Sequence, residues 1–142
     1  MQDETGPERR KPAPPAPAEW DEETGIRFRK GVEEFNTGYF FECHDTLEEI
    51  WQGMRGPARD FLQGLIQISV AFYHLRNGNL RGGESQLEKG LFRLEGYGDC
   101  YQGIDLAALR QGAAIWLGKI RAGADLRASV VDLPKFLPPR AL

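Results

Sequence analysis

The chain has 142 residues, 41% hydrophobic and 27% charged: enough for one domain with a real core and too little for two. A net charge of -3 argues against a nucleic-acid partner, because neutralising phosphates needs a concentrated basic surface. Two cysteines, Cys43 and Cys100, are too few for a disulfide framework and lack zinc-site spacing, so reduced thiols in a cytoplasmic protein are expected.

Residues 1–19 hold five of the nine prolines (Pro7, Pro12, Pro14, Pro15 and Pro17) among alanines and charges. Such a segment cannot bury enough apolar surface to offset its ordering entropy, so a disordered, extended tail is expected. Residues 20–142 then form a single domain. Between Trp20 and Leu133 the only proline is Pro57, and the periodicity is helical throughout, which predicts an all-α fold: a compact antiparallel bundle of about five helices.

The first helix is expected from Asp21 to Phe35, with Phe28, Val32 and Phe35 on its buried face and Gly38 free to take a left-handed conformation after it. The second runs from Tyr39 to Gln52. At 100° per residue Phe40, His44, Leu47, Glu48 and Trp51 share the side assigned to the core, with Glu42, Thr46 and Glu49 opposite.

A turn from Gly53 to Gly56 leads into the third helix, Pro57 suiting its first position and Asn77-Gly78-Asn79 stopping it. This helix is apolar on most of its circumference, which places it in the middle of the bundle. It carries a thin polar line of Gln63, Gln67 and His74. Its Phe61–Leu75 run falls short of the roughly 20 residues that span a bilayer, so no membrane partner is expected.

A fourth helix, Gly82 to Tyr97, buries Leu87, Leu91 and Leu94. Its Gly83 and Gly90 cost about 1 kcal/mol each relative to alanine, which close approach to a neighbouring helix would offset. Gly96 to Gly103 reads as a glycine-rich loop. Asp105 caps a fifth helix to Arg121, with Leu109, Ala113, Trp116 and Ile120 as its inner stripe. Val130 to Pro139, apolar and punctuated by proline, is expected as an extended strap over the bundle.

The short turn makes helices two and three antiparallel neighbours. Counting outward from it pairs Glu48 with Gln63 and His44 with Gln67, a buried His/Glu/Gln network that would satisfy donors and acceptors across the two helices. The alternative is a divalent metal on His44, Glu48 and His74, the first two forming an H-x-x-x-E pair at i and i+4. His74 lies about 10 Å beyond Gln67 along the axis, at 1.5 Å per residue. Asn77 and Asn79, near His74, either line a small cleft or order the turn.

The same residues carry a family resemblance. FNTGYFFECHDTLEEIW (Phe35 to Trp51), FLQGLIQISVAFYHLRNGN (Phe61 to Asn79) and the following RGGESQL resemble the domain of unknown function 309 family over about residues 21–97. The resemblance implies a compact all-helical domain and no particular reaction. It points to Glu42, His44, Asp45, Glu48, Trp51, Gln63, Gln67 and His74 as the family site. The family pattern usually has Glu where this chain has Asp45, and Gly-Ala where it has Gly82-Gly83.

Two functions follow from these residues. The first is a module binding a small molecule or a protein, with a homo-oligomer left open and core-facing amides that suit hydrogen bonding better than catalysis. The second is a metal-dependent hydrolase, in which Glu42 or Asp45 acts as base on a bound water. Binding is the preferred reading.

Overall fold

The computed structural model describes residues 13–126 and 133–139. Within them the chain forms α1 (Glu22–Asn36), α2 (Phe40–Gln52), α3 (Pro57–Arg76) and α4 (Leu80–Leu94). A 3-10 turn (Glu95–Tyr97), a short antiparallel hairpin of β1 (Cys100–Tyr101) and β2 (Ile104–Asp105), and α5 (Leu106–Arg121) follow. The expected all-α bundle is present. The hairpin stands where only a loop was expected.

Local chemistry sets the ends. The Asp21 carboxylate accepts from the Thr24 amide at 2.8 Å and starts α1, and that bonding holds its pKa below the ordinary value. Gly38 closes the α1–α2 turn at φ 89°, a conformation that disfavours any side chain. Pro57 occupies the first turn of α3. Asn79 accepts from the Gly82 amide at 2.9 Å and Asp105 from the Ala108 amide at 2.9 Å, capping α4 and α5.

Helix α3 lies at the centre, packed against α2 on one side and α4 on the other, with α1 on α2 and α5 on α4. Eleven of its residues are buried, from Ala58 to Phe72. Small residues set its distance from α4. A Cβ added at Gly90 would stand 2.8 Å from Ile68 Cδ1 and 3.0 Å from the Gly64 carbonyl oxygen, and one at Gly64 would stand 2.8 Å from Leu94 Cδ2. The expected compensation for helix-weakening glycines is therefore a close approach of α4 to α3. At Gly83 the side chain that an added carbon would meet is Leu75.

The α2 face predicted for the core is turned by roughly a quarter of a circle. Phe40, Cys43, Thr46, Leu47 and Ile50 are buried, while His44, Glu48 and Trp51 sit at the margin. Helix α2 packs on two neighbours, and Thr46 faces α1, where its hydroxyl donates to Glu34 Oε1 at 2.7 Å. A threonine so paired costs little to bury.

Both chain ends that are described lie on the bundle. Residues 13–19, expected as mobile tail, run extended beside the hairpin: the Tyr101 hydroxyl donates to the Ala16 carbonyl at 3.1 Å, and the Ala18 amide to Gln102 Oε1 at 2.6 Å. Proline-rich chain leaves its carbonyls free for such bonds. The strap is present over 133–139. Phe136 is buried and stacks on Phe35 at 3.8 Å, and Asn36 brackets it, donating to the Phe136 carbonyl (3.0 Å) and accepting from its amide (2.7 Å). Residues 1–12 of the expected tail and 130–132 of the expected strap lie outside the described residues.

Candidate functional site: a histidine and aromatic cleft between α2 and α3

The α2–α3 turn is fixed by Arg59, whose guanidinium lies 3.9 Å from the Trp51 ring centroid and donates to the carbonyls of Trp51 (3.0 Å) and Met54 (3.2 Å). At the far end of the pair, Arg76 Nη1 donates to the Gly38 carbonyl at 2.6 Å. Between these ties His44 shares a cleft with Val70, Tyr73 and His74, close to one helical turn further along α3 than Gln67. The expected pairs Glu48–Gln63 and His44–Gln67 consequently make no hydrogen bond among the described residues. Gln67 is buried with its Oε1 lacking a partner, and Gln63 is half-buried.

Phe41, His44, Val70, Tyr73 and His74 enclose a cleft of about 130 Å³. Both of the chain's two histidines line it. The ring contacts run in sequence: His44 to Phe41 at 5.6 Å between centroids, Phe41 to Tyr73 at 5.4 Å, and Tyr73 to His74 at 6.0 Å. Phe41 and Tyr73 are 48% and 36% exposed, so two aromatic faces meet solvent at the rim.

Each histidine has its own polar surroundings. His44 Nδ1 stands 3.6 Å from Asp45 Oδ1 and His44 Nε2 stands 3.5 Å from Glu48 Oε2, so a carboxylate flanks each ring nitrogen. His74 Nδ1 faces the Asn79 amide nitrogen at 3.4 Å. Because the Asn79 oxygen is used in capping α4, its NH2 is turned to His74, and in that contact Nδ1 accepts.

The metal set expected from the sequence is changed by this arrangement. Donor atoms of His44, Asp45 and Glu48 lie within 4.8 Å of one another, with Asp45 in the place expected for His74. His74 is set apart because the rings of Phe41 and Tyr73 link it to His44 rather than leaving the two imidazoles in contact. Of the remaining candidate residues, Glu42 is exposed, Trp51 serves the turn, and Asn77 is the exposed C-cap residue of α3. Asn79 orders the turn, as the structural alternative had it.

Phe41, Val70 and Tyr73 were missed by sequence reasoning. Their signal was the spacing: Phe41 stands three residues before His44, and Val70 four before His74, so each shares a helical face with a histidine. Cys43, next to His44, belongs to the core. Burial pushes its thiol from 9.0 up to about 12, with the Glu34 carboxylate adding to the shift and the Ser69 hydroxyl and Phe35 backbone opposing it. It is no nucleophile at neutral pH.

Residues 28–85, which contain the whole cleft, match the family described as domain of unknown function DUF309. The structure is similar to the crystal structure of a conserved hypothetical protein from Thermus thermophilus, with a TM-score of 0.57 and 32% identity, covering 64% of this chain and 95% of that one. The chain belongs to the DUF309 family. An uncharacterized protein of Aquifex aeolicus (strain VF5) is 29% identical over 77 residues, 54% of this chain and 23% of that protein. The uncharacterized protein YpuF of Bacillus subtilis (strain 168) is 42% identical over 52 residues, 36% of this chain and 30% of YpuF. The chain thus spans less than a third of the length of these two relatives. No helix among the described residues is long and apolar enough to cross a membrane.

Proposed function

We propose that this DUF309 domain is a cytoplasmic binding module whose recognition site is the α2–α3 cleft, and that its occupant carries an apolar group beside a positive charge. The supporting observation is the composition of the cleft: both histidines and two exposed aromatic faces around an apolar hollow, with Asp45 and Glu48 flanking its His44 side. A hollow of about 130 Å³ suits one ring or one branched side chain. For scale, an engineered apolar cavity of about 150 Å³ in another protein holds benzene. Aromatic faces attract a cation by about 0.5–1 kcal/mol at exposed sites, and the two carboxylates add attraction of the same sign. A basic segment of a partner protein and a small organic amine both meet these demands.

Benzylamine is a suitable probe. Saturation-transfer NMR should detect its binding to the wild-type protein in the millimolar range or tighter, and Phe41→Ser should weaken it at least fivefold while leaving the thermal midpoint within a few degrees. Equal binding by the wild type and Phe41→Ser would sink the proposal.

A second reading is supported by the closeness of the His44, Asp45 and Glu48 donors: a divalent metal held there, as a metal-dependent hydrolase would require. Elemental analysis of protein purified without a histidine tag distinguishes it. Equimolar metal that is lost in His44→Ala supports this reading, and metal-free wild-type protein rules against it.

A further inference from the structure

On the other flank of the first turn of α2, Phe40 rather than Phe41 faces a second cavity, and its chemistry is the reverse of the first. Phe40, Phe72, Leu75, Trp116, Leu126 and Leu133 wall a space of about 220 Å³, and the remaining lining residue among the described residues is Arg76. The wall is firm. Phe40, Phe72 and Trp116 are all buried, with Phe72 and Trp116 edge to face at 5.5 Å and Phe40 and Phe72 at 5.8 Å between centroids. Arg76 is the exposed member, so it marks the solvent side.

The guanidinium is held in place and, among the described residues, not neutralised. Its carbon lies 4.6 Å from the Phe40 ring centroid, and Nη1 donates to the Gly38 carbonyl. Guanidinium has five N–H donors. Among the described residues no carboxylate pairs with Arg76 and no other acceptor takes its hydrogen bonds. A fixed cation with no carboxylate beside it among the described residues, at the open side of an apolar space, calls for an anion on an apolar body. Planar guanidinium matches a carboxylate two bonds at a time. The volume, larger than the roughly 150 Å³ that holds benzene elsewhere, admits a ring plus a short acid arm.

We propose that this cavity is a binding site for a small apolar carboxylate, an aryl or branched aliphatic acid, with Arg76 holding the carboxylate and Phe72 and Trp116 packing on the apolar body. The site is separate from the histidine cleft and prefers the opposite charge, so the two proposals stand or fall independently.

Phenylacetate is the probe, and phenylacetamide is its neutral counterpart. Titration of the whole chain, followed through the Trp116 indole N–H signal in NMR, should saturate with phenylacetate and bind it at least tenfold more tightly than phenylacetamide. Arg76→Gln should remove that preference, and Leu133→Trp, which fills the cavity, should remove binding of both. The charge comparison on wild-type protein needs no variant, so it holds even if Arg76→Gln fails to fold. Absence of a saturable shift at 10 mM phenylacetate, or equal affinity for acid and amide, would overturn the proposal. So would phenylacetate shifting the histidine signals and leaving Trp116 unmoved.

Discussion

Replacing Gly90 with alanine tests the packing that places α3 at the centre of the domain. Alanine is the better helix former by about 1 kcal/mol, so an exposed Gly90 would be improved by the change. Here the new methyl would meet Ile68 Cδ1 at 2.8 Å, Ile68 Cγ1 at 2.9 Å and the Gly64 carbonyl oxygen at 3.0 Å. Ile68 is fully buried and cannot swing away, and the carbonyl belongs to the backbone of α3. Overpacking of this kind costs about 1–3 kcal/mol, and its upper part is expected where a backbone atom is involved. The net loss should be about 1–2 kcal/mol, or a fall of roughly 3–8 °C in thermal midpoint for a domain of this size.

Gly118 supplies the control, because it lies within α5 and an added Cβ there meets nothing within 4 Å. Gly118→Ala should stabilise by roughly 0.5–1 kcal/mol. Urea denaturation of both variants reads the difference directly. If Gly90→Ala proved as stable as Gly118→Ala, the close α3–α4 approach described above would be wrong.

Two further outcomes concern the strap and the buried thiol. Asn36→Ala removes both hydrogen bonds to Phe136 and should cost about 1–3 kcal/mol in urea, with faster proteolysis near residue 136; a loss below about 0.5 kcal/mol would mean the strap is not held this way. The folded protein keeps the Cys43 proton up to about pH 12, whereas the unfolded chain releases it near 9.0. Between these values the unfolded state binds fewer protons, so stability should fall as pH rises, by up to about 1.4 kcal/mol per pH unit from this group. Tyr97, pushed by burial from 10.0 to about 12, adds a fall of the same sign above pH 10. Urea midpoints from pH 8 to 11 should show the decline, and Cys43→Ala should make it shallower; an unchanged slope in that variant would contradict the assignment.

The bundle was legible because its elements are marked by strong local signals. Asp21, Pro57 and Asp105 announce three helix starts, and the long apolar run after Pro57 could only be central. The hairpin escaped notice because strands of two residues have no periodicity to read. The phase of α2 was misjudged because Thr46 looks polar in a sequence, and only its bond to Glu34 of α1 makes burial cheap. That error carried into the site. With the helix turned, Glu48 loses Gln63 and His44 shares a cleft with Val70, Tyr73 and His74 instead of pairing with Gln67. Relative shift along a helix pair depends on ties such as Arg59 on Trp51 and Arg76 on Gly38, which spacing within one helix cannot disclose.

The binding proposal is tested most directly by the histidine ring signals themselves. With only two histidines in the chain, a 1H–13C spectrum of histidine-labelled protein has one pair of signals to assign, and His44→Gln and His74→Gln assign them. Titration with benzylamine should shift both sets along one saturable curve, because both rings line the same hollow. If either set stays still while the other saturates, or if neither moves at 10 mM, the α2–α3 cleft is not the recognition site.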